Sequence, residues 1–303
     1  MTTRAVAVDA PEPYQDRLRA RPEIEQWPPD APAPQYIHEQ PLSSPSKEAT
    51  LRAAIDIRRS PSRHLARTEW LRSLNSFSFG AHSDSDNTHF GLLLVSNEDT
   101  VEPGTGFDTH PHRDMEIVTW VLEGALVHKD STGHNGIIYP GLAQRMTAGS
   151  GILHSEKNDS WTLTGDQEHA NPVHFIQMWV LPDTANVTPG YEQLDINAPL
   201  DQGGWVTLAS GMPKHSGARA ISIRQKHAAL HVARLRPAET VQVATAPFVH
   251  LFMAHGSISL EGSGALAQGD AARITGSEGR RISAGAEGAE VLMWEMDTTL
   301  SFR

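Results

Sequence analysis

The chain has 303 residues, 39% of them hydrophobic and 20% charged, which suits one large or two ordinary domains with a sizeable core. A formal charge of −11, with no run of Lys or Arg to offset it, excludes direct, sequence-independent contact with a phosphate backbone, so no nucleic-acid partner is expected. Cysteine is absent, so disulfides and thiolate ligands are excluded, and a bound metal would have to be held by nitrogen and oxygen.

Residues 1–54 hold nine of the twenty prolines, with the cluster WPPDAPAP at 27–34, and few periodic apolar positions. Such a stretch buries too little surface to offset its ordering entropy and reads as an extension draped over the body. Pro22 argues for coil over Tyr14–Gln26. The opening MTTRAVAVDAPEP lacks the apolar core of a signal peptide, and no stretch approaches the roughly 18 to 20 apolar residues of a membrane helix, so cytoplasmic residence is expected.

From residue 55 the texture changes. Ile55 and Ile57 alternate with polar residues as in a first strand, and 74–79 and 90–95 continue the strand pattern. Short apolar runs separated by Gly, Pro, Asn and Asp recur through Val180, the organisation of an all-β protein of short antiparallel strands. Residues 183–204, rich in Pro and Gly, read as a connection to a second domain.

Within the first domain, His110 and His112 stand two residues apart, as do His154 and Glu156. On a strand, side chains at i and i+2 leave from one face, so each pair can aim two donors at one point. Sixteen histidines would place roughly one such pair by chance, so the spacing alone is weak. Its context is more specific. Gly104, His110-Pro-His112, Glu116 and an apolar run closed by Glu123-Gly124 resemble the first motif of the cupins, and 141–158 resembles the second. HPHRDMEIVTWVLEGALVHKDSTG and MTAGSGILHSE resemble the pirin family, in particular its bacterial quercetinase-like branch, and SFSFG at 76–80, HFG at 89–91, NED at 97–99 and PGYEQ at 189–193 agree.

The resemblance implies a bicupin of two antiparallel β-barrel (jelly-roll) domains: an extension over 1–54, a metal-binding domain over 55–190 and a C-terminal domain over 191–303. It implies one divalent first-row metal held by His110, His112, His154 and Glu156, with iron first and Mn, Co, Ni, Cu or Zn as alternatives. Glu116 is the rival carboxylate, since the general cupin motif offers a Glu at about that spacing; otherwise it is a candidate to orient a ligand imidazole. The implied activity is a quercetin 2,3-dioxygenase-type ring opening of a flavonol or related small aromatic, with Glu156 as ligand and base. Two alternatives stand beside it. One is a redox-sensing regulator acting through a protein partner, the other a different small-molecule reaction such as isomerisation.

Phe107, Trp120, Met146 and Trp179 are candidate pocket walls, and Arg113 a candidate contact for an anionic ligand. His128 and His134, in HKDSTGHNG, read as exposed residues of a hairpin tip. In the last third, overlaying Gly256 on Gly124 and Gly269 on Gly141 puts Gln242, Ala244, Ile282 and Ala284 at the four ligand positions, so the second cupin is expected to keep the fold without that metal. His227 and His231 would share a helical face, but Ala228 stands where a metalloprotease has Glu and the sequence onward alternates like a strand. No nucleophile elbow and no phosphate-binding glycine loop occurs.

Overall fold

A computed structural model describes residues 53–300; the proline-rich stretch and the coil expectation for Tyr14–Gln26 lie outside the described residues. The first half of the chain forms β1 (Ala54–Arg58), β2 (His64–Arg67), β3 (Leu71–Asn75), β4 (Leu93–Val101), β5 (Gly106–His112) and β6 (Glu116–Glu123). It continues through β7 (Leu126–Asp130), β8 (Asn135–Ile138), β9 (Leu142–Thr147), β10 (Ile152–Lys157), β11 (Val173–Val180) and β12 (Gly190–Asp195). The second half forms β13 (Trp205–Ser210), β14 (Ile221–Ser222), β15 (Ala228–Leu235), β16 (Thr240–Gln242), β17 (Thr245–Leu260), β18 (Gly264–Ala267), β19 (Ala271–Glu278) and β20 (Arg281–Met296). Among the described residues, no helix is long and apolar enough to cross a membrane.

The first domain is a jelly-roll-like pair of antiparallel sheets, one of seven strands in the order β12-β9-β6-β11-β4-β3-β2 and one of four in the order β5-β10-β7-β8. The two are not hydrogen-bonded into a closed cylinder. The second domain is one nine-stranded sheet folded over itself by β17 and β20, each 16 residues long, which pair along two stretches separated by bulges. All of its ladders are antiparallel except the short parallel pair β13 and β14.

Alternation along the seven-stranded sheet decides which side chains meet. On β11, Phe175, Gln177 and Trp179 face the four-stranded sheet, while Ile176, Met178 and Val180 face the second domain. The outer face is apolar and packs on Leu230, Val232, Phe252, Leu292, Trp294 and Met296 in one continuous core that joins the domains. The Trp294 indole N–H donates to the Met178 sulfur at 3.3 Å. The second domain holds a separate core of its own, built on Ala233, Leu235, Leu251, Met253, Val291 and Met293.

Three elements differ from the pattern read in the sequence. The first strand, with Ile55 and Ile57, pairs with β19 of the second domain and packs on that domain's core. Its alternation identified a half-buried strand but carried no information about its partner. Within the connecting stretch 183–204, Gly190–Asp195 is a full strand that pairs with β9, followed by a short helix, Asn197–Leu200. The strands expected at 74–79 and 90–95 run instead over Leu71–Asn75 and Leu93–Val101.

A buried ion pair fastens the outer face. Arg63 donates to Glu98 Oε2 at 2.5 Å, His174 Nε2 lies 2.9 Å from Glu98 Oε1, and the Arg63 guanidinium sits over the Phe252 ring of the second domain. Burial alone would raise the Glu98 pKa, but the His174 hydrogen bond and the Arg63 charge outweigh it and hold it at about 2. A carboxylate with a depressed folded-state pKa contributes stability that is present above its ordinary 4.5 and is lost as pH falls toward 2. Urea unfolding of Glu98→Gln should therefore show lower stability at neutral pH and a flatter pH dependence between 4.5 and about 2 than the parent chain.

Candidate metal centre

Strand β10 lies between β5 and β7, and the two ladders place the candidate ligands. His154 pairs across with His110, and Ile152 with His112. A bulge between His154 and Glu156 then shifts the register, so that Glu156 pairs with Phe107 on one side and with His128 on the other. Gly106 makes the close approach of β5 and β10 feasible: its φ is +147°, and a Cβ there would lie 2.2 Å from the Glu156 carbonyl oxygen.

His110, His112 and His154 converge. Their ring centroids are 4.9 Å (110 to 112), 4.4 Å (110 to 154) and 4.9 Å (112 to 154) apart, and their candidate ligand atoms lie within 4.8 Å of one another. His112 and His154 are buried and His110 is partly exposed at the open side. Glu156 falls in an adjoining group with His128 and His154, not with His110 and His112. Its two oxygens accept from Gln177 Nε2 at 3.0 and 2.8 Å, and Gln177 Oε1 accepts in turn from the Trp179 indole N–H at 3.0 Å.

The electrostatics favour neutral rings. Burial, with the neighbouring His110 adding to it, lowers the His112 pKa to about 3. Burial and the neighbouring imidazoles likewise push His154 well below the ordinary histidine range. Neutral imidazole is the form that ligates metal. The Nε2 atoms of His112 and His154 are buried and have no hydrogen-bond partner among the described residues, whereas buried polar groups are ordinarily paired. These orphaned nitrogens fit a cation between them.

The opposite edge of two of the rings, His110 and His154, is anchored. His110 Nδ1 lies 2.7 Å from the Asp108 carbonyl oxygen, to which it can donate. His154 Nδ1 lies 3.5 Å from His128 Nδ1, and His128 Nε2 lies 3.2 Å from Asp130 Oδ2. Asp130 Oδ1 also accepts from the Thr132 hydroxyl at 2.6 Å. The resulting chain, from His154 through His128 to a buried carboxylate, fixes tautomer and ring orientation, leaving Nε2 of His154 as the donor atom.

His128 is therefore not an exposed turn residue. It is fully buried on β7, which runs on through Asp130, and of the two histidines it is His134, in the turn, that is exposed. Glu116 is also differently placed. It lies on the outer face of β6, where it accepts from Thr147 at 3.0 Å near Arg145, so it neither joins the histidines nor orients one of them. Of the four candidate walls, Phe107 and Trp179 flank the cluster, at 6.2 Å from His110 and 4.9 Å from His112. Met146 is buried on the inner face of β9, opposite Ile117. Trp120 points the other way, its indole N–H donating to Glu290 of the second domain.

A polar floor had no counterpart in the reading of the sequence. Asn97, Asp99, Thr119 and Gln144 are all buried on the inner face of the seven-stranded sheet, each with a side-chain oxygen lacking a partner among the described residues. Burial raises the Asp99 pKa to about 7, the Ser73 hydroxyl lowers it in part, and the charges of Glu156 and Glu98 add to the rise. The signal was present in the run Val95 to Val101, where alternate positions place Asn97 and Asp99 between two apolar residues of the same face.

Two stacked antiparallel domains, with three convergent imidazoles in one of them, define the bicupin class of metal-site proteins. The chain belongs to the pirin family: the Pirin profile matches residues 58–180, and the profile of a quercetinase C-terminal cupin domain matches 207–296. A Mycobacterium tuberculosis H37Rv protein carrying a provisional quercetin 2,3-dioxygenase name is 55% identical over 248 residues, covering 82% of this chain and 97% of that one. The quercetin 2,3-dioxygenase of Escherichia coli K12 is 42% identical over 144 residues, 48% of this chain and 59% of that one. Among solved structures, YhhW of Escherichia coli is similar at 31% identity with a TM-score of 0.71, covering 82% of this chain and all of that one. The same bacterial pirin in complex with nickel(II) is similar at 30% identity, with a TM-score of 0.70 and the same coverage.

Proposed function

We propose that the chain is a mononuclear metal dioxygenase of the quercetin 2,3-dioxygenase type, opening the ring of a flavonol or related small aromatic with O2 and releasing carbon monoxide. His110, His112, His154 and Glu156 would hold one divalent first-row metal, with iron first, and the protein would work in the cytoplasm. The observation that carries the reading is the pair of buried Nε2 atoms on His112 and His154 that lack a partner among the described residues, supported by relatives that bear the quercetin dioxygenase name. When bound, the cation supplies a Lewis acid that favours the deprotonated form of a substrate hydroxyl and a centre suited to O2 chemistry.

The chain's own residues have separable roles. The Glu156 carboxylate, buried beside His154, is the base that takes the substrate's hydroxyl hydrogen. Gln177 holds both carboxylate oxygens and is itself held by Trp179, so the base is aimed before substrate arrives. Phe107 and Trp179 offer aromatic faces to a planar ring, and the floor of Asn97, Thr119 and Gln144 offers unpaired oxygens to its hydroxyls.

Metal-replete protein given quercetin should consume O2 and release carbon monoxide, and His154→Ala should abolish both while the circular dichroism spectrum stays native. Absence of turnover with Fe, Mn, Co, Ni, Cu and Zn would overturn the enzymatic reading in favour of a regulator. Turnover that persists in His154→Ala would remove the assigned site. The His154–His128–Asp130 chain makes a second prediction. His128→Phe, which keeps the ring volume, should weaken metal binding about 10- to 100-fold in a chelator competition, as loss of an orienting partner does.

A further inference from the structure

The second domain lacks the four ligand positions of the first, and Ile282 and Ala284 are simply part of its apolar core. It nevertheless gathers another donor set. We propose that His215, His231 and Glu295 form a second cation site, independent of the first, for a divalent first-row metal of the zinc type. Their candidate ligand atoms lie within 4.8 Å of one another, and they come from three separate elements, the turn Pro213–His215, β15 and β20.

The placement is that of a site rather than of scattered surface groups. Ala233 and Leu235 on β15, and Val291 and Met293 on β20, line the second domain's own core. His231 and Glu295 continue those two inward rows and are buried at 6% and 4% exposure. Strand register gives the counterpart in the first domain. Val180 pairs with Glu116 as Met296 pairs with Phe248, and the overlay of Gly256 on Gly124 superposes those pairs. Glu295 thus takes the place of Trp179, the residue whose ring lies 4.9 Å from His112. The new cluster therefore stands at the end of the second domain that corresponds to the imidazole end of the first.

The orientation of the rings is already set. His231 Nδ1 lies 3.2 Å from the Thr207 hydroxyl and His215 Nδ1 lies 3.0 Å from the Ser210 hydroxyl, so a bound cation would find each ring able to take the tautomer that donates from Nδ1 and presents Nε2, His231 giving up its metal-free Nε2–H bond to Glu295. His231 Nε2 is 3.2 Å from Glu295 Oε2, and the two imidazoles cross edge to face at 5.2 Å. Burial, and then the neighbouring His231, lower the His215 pKa, which favours the neutral ring. Burial pushes the Glu295 carboxyl up, but hydrogen bonds from His231 and Lys214 outweigh it and keep the carboxylate ionised. Two neutral imidazoles and one carboxylate make the donor set of His2Glu zinc sites and of the facial triad, with positions left for water.

Lys214 explains how the cluster is stable without a cation. Its ammonium contacts Glu295 Oε1, and at 51% exposure it can swing into solvent when a divalent ion takes over the neutralisation. His227, by contrast, lies near Asp297 and is not one of the three.

The test is a Co2+ titration of the full chain, followed by visible absorption and metal content. Wild type should bind two equivalents, and His112→Ala/His154→Ala should retain one. Adding His231→Asn or Glu295→Gln to that double variant should remove it. Lys214→Met, which deletes only the competing cation, should tighten the second equivalent about two- to fivefold, the scale of one exposed ion pair. A single equivalent in wild type, retention of the second in Glu295→Gln, or unchanged or weaker binding in Lys214→Met would each overturn the assignment and leave a metal-free hydrogen-bonded cluster.

Discussion

Two ring nitrogens, Nε2 of His112 and of His154, are withdrawn from water with nothing among the described residues to receive them. Leaving a buried polar atom unpaired costs about 1 to 3 kcal/mol, and here two face one point. Backbone pairing imposes the arrangement, because β10 is hydrogen-bonded on both sides and cannot turn its side chains away without giving up two ladders. The bulge after His154 then shifts the register, so that Glu156 meets Gln177 and lies beside His154 and His128, while His154 also meets His110 and His112. Four side chains on two strands are thereby brought together, three of them as one convergent group of imidazoles.

Much of this was legible because a strand has period two. His110 with His112, and His154 with Glu156, could be paired on paper, and the apolar run after Met115 marked a buried strand. What could not be read was partner choice and facing. Glu116 and Trp120 lie on the outer face of β6 because the strand enters the sheet in that phase, and nothing local to 116–120 sets that phase. His128 was misplaced for a related reason. Gly, Ser, Thr and Asp around it signal a turn, yet the ladder continues through Asp130 and the reversal occupies only the residues just beyond. The partners of His231 lie on a turn sixteen residues before it and a strand sixty-four residues after it, separations at which local patterns are silent.

The two domains show how one architecture carries different interiors. In the first, the inner face of the larger sheet is studded with Asn97, Asp99, Thr119, Gln144 and Gln177, and the apolar side chains crowd its outer face, where they join the domains. In the second, the inner face is almost wholly aliphatic and ends in one cluster of His and Glu. The first interior thus keeps polar atoms available, while the second is filled with Ala, Val, Leu, Ile and Met up to that cluster.

The pairing of β1 with β19 has a consequence for how the molecule is made. Ala54 meets Thr275, Ser60 and Arg59 grip Asp270, and Ile55 and Ile57 cover the distal core. During synthesis the early strand cannot pair until β19, more than two hundred residues later, has left the ribosome, a closure of high sequence separation that slows assembly. A fragment beginning near residue 207 would present β19 as a bare edge, open to strand addition from other copies. The proximal segment thus acts as a built-in guard for the distal half, and severing the chain between the halves would expose what that guard conceals.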